Sequence, residues 1–414
     1  MIHIPPGTVA GRLRAPASKS HLQRLLLAAS LAPGASFIHR PGTSADGVAC
    51  LGVIRDLGAR VRETGEVLEI QGGGLSRGGN LDCGESGFCL RAAAAVAALQ
   101  DLPMTLSGHG SLLTRPMEMV LDPLRQLGVA CSTREGFPPI TLRGPLKGGR
   151  VRVDGRASSQ FLSGLLLALP RAEGDSRVEV EELRSGPYIR MTLDVLAAFG
   201  VRVEASPALD LFLVPGGQTY RPVDLAVEGD WSGAAFLLVA GAVAGTVAVE
   251  GLDPASAQAD RAILRALEDA GAAPRWEDGA LLQDRADLRA FTFDATDCPD
   301  LFPPLAALAC HARGLTRLKG ASRLKAKESD RASALVAELS AMGATLKVEG
   351  DWMEIEGGPL EGGAVDPHND HRMAMACAVA GLRSVRGATM EGEACVEKSY
   401  PGFFSDLASL RGGA

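Results

Sequence analysis

Three things are missing from this sequence, and each removes a class of function. It has no basic excess: 42 lysines and arginines against 49 aspartates and glutamates give a net charge of −7. No basic face is in prospect for coating nucleic acid or a membrane surface, although a concentrated basic pocket stays open. It has no Cys-x-x-Cys pair; eight cysteines, from Cys50 to Cys395, are scattered without metal-type spacing. Free buried thiols in a reducing, cytoplasmic compartment are the natural expectation, not a disulfide framework. It has no apolar run fit to span a bilayer: the longest, Gly233 to Val249, is broken by glycines and Thr246 and reads as a buried helix followed by a strand. The opening Met1-Ile-His-Ile-Pro-Pro also lacks the basic and apolar regions of a signal peptide. His368 and His371 suggest a metal pair, but no carboxylate and histidine set at fitting spacing completes it, so no metal is expected.

What the chain has in quantity is glycine, 50 among 414 residues, with 46% hydrophobic residues for a core. The glycines punctuate a recurring plan of extended segment, polar or glycine-rich turn and small-residue helix. Its starts fall near 15, 82, 153, 227, 294 and 366, about 70 apart, the mark of an internal repeat in six copies. A second series agrees: helix ends at Leu57-Gly58, Leu127-Gly128, Phe199-Gly200, Ala270-Gly271 and Met342-Gly343, glycine being the usual helical stop.

The first turn, Ser18-Lys19-Ser20-His21 with Arg24, sets a lysine and small hydroxyls at a helix start, where free N–H groups and the dipole favour an anion. Before it, residues 2–14 read as one edge strand; after it, Asp46 to Leu57 reads as an amphipathic helix. Arg91 follows in an alanine-rich helix. Thr114-Arg115-Pro116 precedes a helix expected over Met117 to Leu127, with Arg115 at its start. Ser158-Ser159-Gln160 and Ser185-Gly-Pro-Tyr188 offer hydroxyls at helix starts, where the same geometry either caps the helix or holds a phosphate. The turn from Val227 carries no cation and reads as structural. In Lys325-Ala-Lys327-Glu328-Ser329-Asp330-Arg331, helical spacing places Lys327 and Arg331 on one face, with Ser329 as a possible cap. Asp300 and Asn369-Asp370-His371-Arg372 occupy the last two turns, and Lys398 precedes a closing helix.

Each of these cations alone is most simply a solvated charge. Together, Lys19, Arg24, Arg91, Arg115, Lys327, Arg331, Arg372 and Lys398 all stand at or just beyond equivalent turns of an acidic chain. If the turns converge, they suit a substrate pair rich in phosphate and carboxylate. Asp300, Glu328 and His371 would then be acids and bases among them.

These motifs, in this order and over essentially the whole length, resemble the 5-enolpyruvylshikimate-3-phosphate synthase family. The resemblance implies an α/β fold of two domains, an inside-out barrel of six βαβαββ units, three per domain, with helix N-termini facing a cleft. It places residues 1–15 and 227–414 in one domain and 16–226 in the other. It implies transfer of the carboxyvinyl group of phosphoenolpyruvate to the 5-hydroxyl of shikimate 3-phosphate, with phosphate released and no metal or organic cofactor. The implied partners are those two small molecules, with no nucleic acid and no membrane, and the implied state is a monomer. By motif, Lys19, Ser20, Arg24, Ser158, Ser159, Gln160, Ser185, Tyr188, Asp300 and Lys327 would hold shikimate 3-phosphate, with Arg24 at its carboxylate. Lys19, Gly87, Arg115, Gln160, Arg331, Arg372 and Lys398 would hold phosphoenolpyruvate. Asp300 would be the base at the 5-hydroxyl, Glu328 and Lys19 would handle the methylene proton and the leaving phosphate, and His371 would support them.

Glu85-Ser86-Gly87-Phe88 stands where the family usually has Asn-Ser-Gly-Thr or Asn-Ala-Gly-Thr. A carboxylate there costs on the order of 1 to 4 kcal/mol beside a bound trianion unless paired or protonated; Arg91 or Arg115 is the expected partner. Arg323 stands near where some members carry an asparagine. Three rival readings exist. A UDP-N-acetylglucosamine enolpyruvyl transferase would have Lys-Asn in the first motif and a loop cysteine, where this chain has Lys19-Ser20 and no cysteine near Arg115. An RNA 3′-phosphate cyclase sits badly with the acidic balance. A non-catalytic descendant would bind one anion and ignore the other.

Overall fold

The computed structural model describes residues 1–156, 159–325 and 327–412; Ser158, among the expected phosphate ligands, lies outside the described residues. The chain divides into two compact units, Met1–Ser18 with Glu228–Ala414, and Lys19–Val227. The fold is mixed α/β with many small sheets.

The unit Lys19–Val227 carries three four-stranded sheets. In each, a parallel pair, such as Gly79–Asp82 beside Pro103–Ser107, continues into antiparallel strands, here Phe137–Arg143 and Ala130–Arg134. Strand faces alternate buried and exposed along Phe137–Arg143, as a sheet with one wet face requires. The inner layer is helical: Gly87–Ala97 is buried along its entire length, and Gln160–Ala168 from Phe161 on. The two cross closely because a Cβ on Gly164 would lie only 2.5 Å from the Ala92 Cα, so no other residue fits there.

In the other unit the helices Trp231–Ala244, Phe302–Cys310 and His371–Gly381 are buried throughout and pack on one another. Helices apolar on every side belong in a core of this kind. The stretch Gly233 to Val249 divides between the first of them and the strand Gly245–Glu250. Residues 2–14 form two strands, not one. Ile2–Ile4 pairs with Ala388–Met390, and Val9–Arg14 pairs in parallel with Gly245–Glu250 in another sheet. Pro5-Pro6 between them lacks the N–H groups a continuous ladder needs.

The helix expected over Met117 to Leu127 is also shorter. A single 3₁₀ turn, Glu118–Val120, leads into Leu121–Gln126. Pro123 has no N–H to give a carbonyl four residues back, so a helix can contain it only within its first turn. Met117 instead donates its N–H to the Gly136 carbonyl. Arg115 therefore closes the 3₁₀ segment Gly110–Thr114 and does not open a helix.

All eight cysteines are free thiols, seven of them buried. Among the described residues, no helix is long and apolar enough to cross a membrane, and no group of three His, Cys, Asp or Glu could hold a metal ion.

Candidate active site

Within Lys19–Val227, several helix starts are wired together by side chains. Lys19 opens the helix Lys19–Leu31, and its Nζ lies 2.8 Å from Asp46 Oδ2, in the first turn of Ala45–Leu57. One turn along from Lys19, Gln23 donates to the Asp46 carbonyl at 2.9 Å and to Ser86 Oγ at 2.8 Å. Ser86 in turn caps Gly87–Ala97 by accepting from the Cys89 N–H. Nothing local in the sequence announces Asp46 as the partner of Lys19, since 27 residues separate them.

Arg24 is 1% exposed and surrounded by acceptors. It donates to Thr192 Oγ1, the Ser20 carbonyl, Ser163 Oγ and the Tyr188 carbonyl at 2.7–3.2 Å, and its guanidinium lies 4.3 Å from the Phe88 ring centre. Burial pulls its pKa down to about 9. Its visible work is to knit Lys19–Leu31, Gln160–Ala168 and Gly186–Ala198 into one piece. Ser159, 4% exposed, precedes Gln160–Ala168 without capping it, which leaves its hydroxyl uncommitted to that helix. Ser185 sits in the left-handed region at φ 59 just before Gly186–Ala198.

Gly87 marks the most cationic point of this unit. A Cβ there would stand 2.7 Å from Arg115 Nη1, 3.3 Å from Arg91 Nη1 and 3.5 Å from Gln160 Oε1. Arg91 is held by Gln160 Oε1 at 2.6 Å and the Pro116 carbonyl at 3.0 Å. Two guanidinium groups at a helix N-terminus that starts with glycine make a strong anion cradle, because dipole, N–H groups and charge all favour the same sign.

In the other unit, Asp300 sits in the 3₁₀ turn Pro299–Leu301 that leads into Phe302–Cys310. Its Oδ1 is 2.7 Å from Arg331 Nη1 and 3.3 Å from Lys327 Nζ, and its Oδ2 is 3.2 Å from Arg372 Nη2. Burial opposes ionisation, yet Arg372, Lys327 and Arg331 together hold the carboxyl well below the usual range. Burial likewise lowers the Lys327 pKa, with Asp300 working against it.

Arg331 is fully buried and also binds Glu328 Oε2 and Asp370 Oδ2, the latter at 2.7 Å. Its helix begins only at Arg331, capped by Asp330, which accepts from the Ser333 N–H. Lys327 thus lies ahead of the helix, and the expected shared helix face does not exist; the two cations meet through Asp300 instead. Ser329 donates to Asp370 at 3.0 Å and is not the cap. Asp370, absent from the expected site residues, caps His371–Gly381 and anchors Arg331.

His371 is 1% exposed, with Nδ1 3.8 Å from Asp370 Oδ1. Lys398 donates to the Asn369 carbonyl at 2.8 Å. Arg372, 3% exposed, has no partner among the described residues for its Nε and Nη1. Buried guanidinium N–H groups without acceptors are costly, and an anion would satisfy them.

Asp260 is a residue that sequence reasoning missed. It is fully buried, accepts from the Ser232 hydroxyl and has its other oxygen without a partner among the described residues. Burial and the charge of Asp300 push its pKa up to about 7, against the pull of Arg372.

A mixed α/β framework whose buried helices begin at clusters of arginine, lysine and hydroxyl side chains defines an enzyme class that handles small, multiply charged anions. The chain belongs to the EPSP synthase family: the family model for EPSP synthase (3-phosphoshikimate 1-carboxyvinyltransferase) matches residues 4–407. The 3-phosphoshikimate 1-carboxyvinyltransferase of Aeropyrum pernix is 42% identical over 408 residues, which cover 98% of this chain and 95% of its own. That of Methanocorpusculum labreanum is 40% identical over 97% of this chain and 96% of its own. Among solved structures, the EPSP synthase of Acinetobacter baumannii superposes with a TM-score of 0.82 at 29% identity, over 99% of this chain and 97% of that one. The enolpyruvyl transferase NikO of Streptomyces tendae has a TM-score of 0.78 at 18% identity, a likeness of fold alone.

Proposed function

We propose that this enzyme transfers the carboxyvinyl group of phosphoenolpyruvate to the 5-hydroxyl of shikimate 3-phosphate and releases phosphate. The observation that carries the reading is Asp300, a half-buried carboxylate kept ionised by three cations, in a chain 40–42% identical to two named 3-phosphoshikimate 1-carboxyvinyltransferases over nearly its full length. An ionised carboxylate is available to accept a hydroxyl proton, while the cations that keep it ionised also weaken it as a base until substrate anions offset their charge.

In this reading Ser20, Arg24, Ser158, Ser159, Ser185, Tyr188 and Lys327 serve shikimate 3-phosphate, with Gln160 and Lys19. The Arg24 role at the substrate carboxylate competes with the four protein acceptors it already serves. Gly87, Arg115, Arg331, Arg372 and Lys398 serve phosphoenolpyruvate, where the unpartnered N–H groups of Arg372 supply the clearest waiting donors. Asp300 takes the 5-hydroxyl proton as the oxygen adds to the donor carbon. Glu328 and Lys19 deliver a proton to the methylene carbon, and as phosphate leaves the tetrahedral intermediate they take a proton back from the methyl group so formed, which restores the vinyl double bond. His371 keeps Asp370 and its neighbours in place. The two units correspond to the two domains of three βαβαββ units each, and the enzyme acts as a cytoplasmic monomer without metal or organic cofactor.

The test is phosphate release from phosphoenolpyruvate with and without shikimate 3-phosphate. Release that requires both substrates and collapses in Asp300→Ala is expected. Tight binding of shikimate 3-phosphate without release would favour the non-catalytic reading.

A further inference from the structure

The carboxylate at position 85 is where the chain departs from the usual asparagine, and its geometry gives it a job. Glu85 Oε2 accepts from the Ser111 N–H at 2.9 Å and from the Ser111 hydroxyl at 2.8 Å. Two main-chain bonds run beside this pair, His109 N–H to the Gly84 carbonyl at 2.9 Å and Cys83 N–H to the Ser107 carbonyl at 2.8 Å. The turn at Cys83–Glu85 is thereby fastened to the segment 107–111. That segment continues as the 3₁₀ turn Gly110–Thr114, which ends at Arg115, whose own N–H donates to the Leu112 carbonyl at 3.1 Å. Gly110 takes φ 56, and a Cβ on it would be 2.4 Å from the Glu85 carboxyl carbon. The carboxylate therefore fills the space over this residue, and the loop is built around it. An asparagine, one methylene shorter, cannot reach as far from the same backbone.

We propose that Glu85 is a positioning residue for the donor: its carboxylate clamps the Gly108–Thr114 loop and so sets where Arg115 stands over Gly87. The inference rests on the reading of Arg115 and Gly87 as phosphoenolpyruvate ligands. The carboxylate accepts from a loop N–H and hydroxyl, which stabilises its ionised form and gives an acid at this turn a structural role. Arg115 is 7% exposed and follows directly from the clamped turn, so loosening the turn loosens the guanidinium.

The experiment compares Glu85→Ala, Glu85→Gln and Ser111→Ala with wild type in steady-state phosphate release, varying each substrate in turn. Loss of the two hydrogen bonds that Glu85 accepts should raise KM for phosphoenolpyruvate about tenfold in Glu85→Ala, with KM for shikimate 3-phosphate changed less than about twofold. Glu85→Gln keeps an acceptor oxygen at the same reach and should recover most of the loss. Ser111→Ala removes the hydroxyl half of the clamp and should raise the same KM about two- to threefold; it also serves if Glu85→Ala does not fold. An unchanged or lowered KM for phosphoenolpyruvate in Glu85→Ala would overturn the proposal, since a carboxylate that merely repels the donor predicts that result. Glu85→Gln as impaired as Glu85→Ala would overturn it too, because charge and not the clamp would then matter. Absence of substrate-dependent phosphate release in wild type would instead reject the proposed function.

Discussion

Asp260→Asn tests the electrostatics of the Asp300 cluster without touching Asp300. In the folded chain the Asp260 carboxyl titrates near 7, lifted from an ordinary 3.8 by burial and then by the charge of Asp300. A raised carboxyl pKa means that the folded state holds more protons than the unfolded one between those values, so stability falls as pH rises through that window. Each pH unit inside it is worth about 1.4 kcal/mol, so from pH 5 to pH 8 wild type should lose about 2 to 3 kcal/mol that Asn, which cannot ionise, does not lose. Asparagine still presents an oxygen to Ser232, so the hydroxyl keeps its acceptor. Urea unfolding of both proteins at pH 5, 6, 7 and 8 measures the gap. The variant should gain on wild type steadily up to pH 7 and then run parallel to it. A gap that is the same at every pH would mean that Asp260 is ionised throughout, and the reasoning from its burial would be wrong.

Removing the Asp370 carboxylate leaves Arg331 buried with one anchor fewer, and Asp370→Ala should cost about 3 to 5 kcal/mol in chemical denaturation. Gly87→Ala places a methyl 2.7 Å from Arg115 Nη1; KM for phosphoenolpyruvate should rise about tenfold or more while shikimate 3-phosphate binding by calorimetry is nearly unchanged. Arg24→Lys loses the fork that serves four acceptors and the stack on Phe88, and its melting temperature should drop by several degrees, about 2 kcal/mol or more. Dialysis against a chelator should leave phosphate release intact, as the proposed chemistry uses no metal.

What the sequence reveals here follows from what is local. Lys327, Arg331 and Arg372 are visible because each stands at or just ahead of a helix start, and the structure does bring them together on Asp300. The wiring among them is not visible, because it is tertiary. Asp260 lies in Gln258-Ala259-Asp260-Arg261, where an acid beside an arginine reads as an ordinary surface pair, and it becomes informative only once Ser232 and Asp300 lie beside it. Asp46 is equally silent until it meets Lys19. The failed helix at Met117 is a different matter, since Pro123 was in plain sight and a proline six residues into a proposed helix is signal enough to shorten it. Asp330 likewise competes with Ser329 for the cap, and one residue of displacement is enough to take Lys327 off the helix.

Gly164 contributes no functional group, yet it bears on how the cationic cradle at Gly87 behaves mechanically. It lies one turn, about 6 Å, beyond Gln160 on the same helix, against the backbone next to Arg91. With no clearance at that crossing, neither helix can slide past the other, so Gln160, Arg91 and Gly87 move as a single block. Since only glycine fits there, the spacing of the cradle depends on a residue that contributes no polar atom to it, and a larger side chain at 164 would disturb the cradle while leaving its arginines in place.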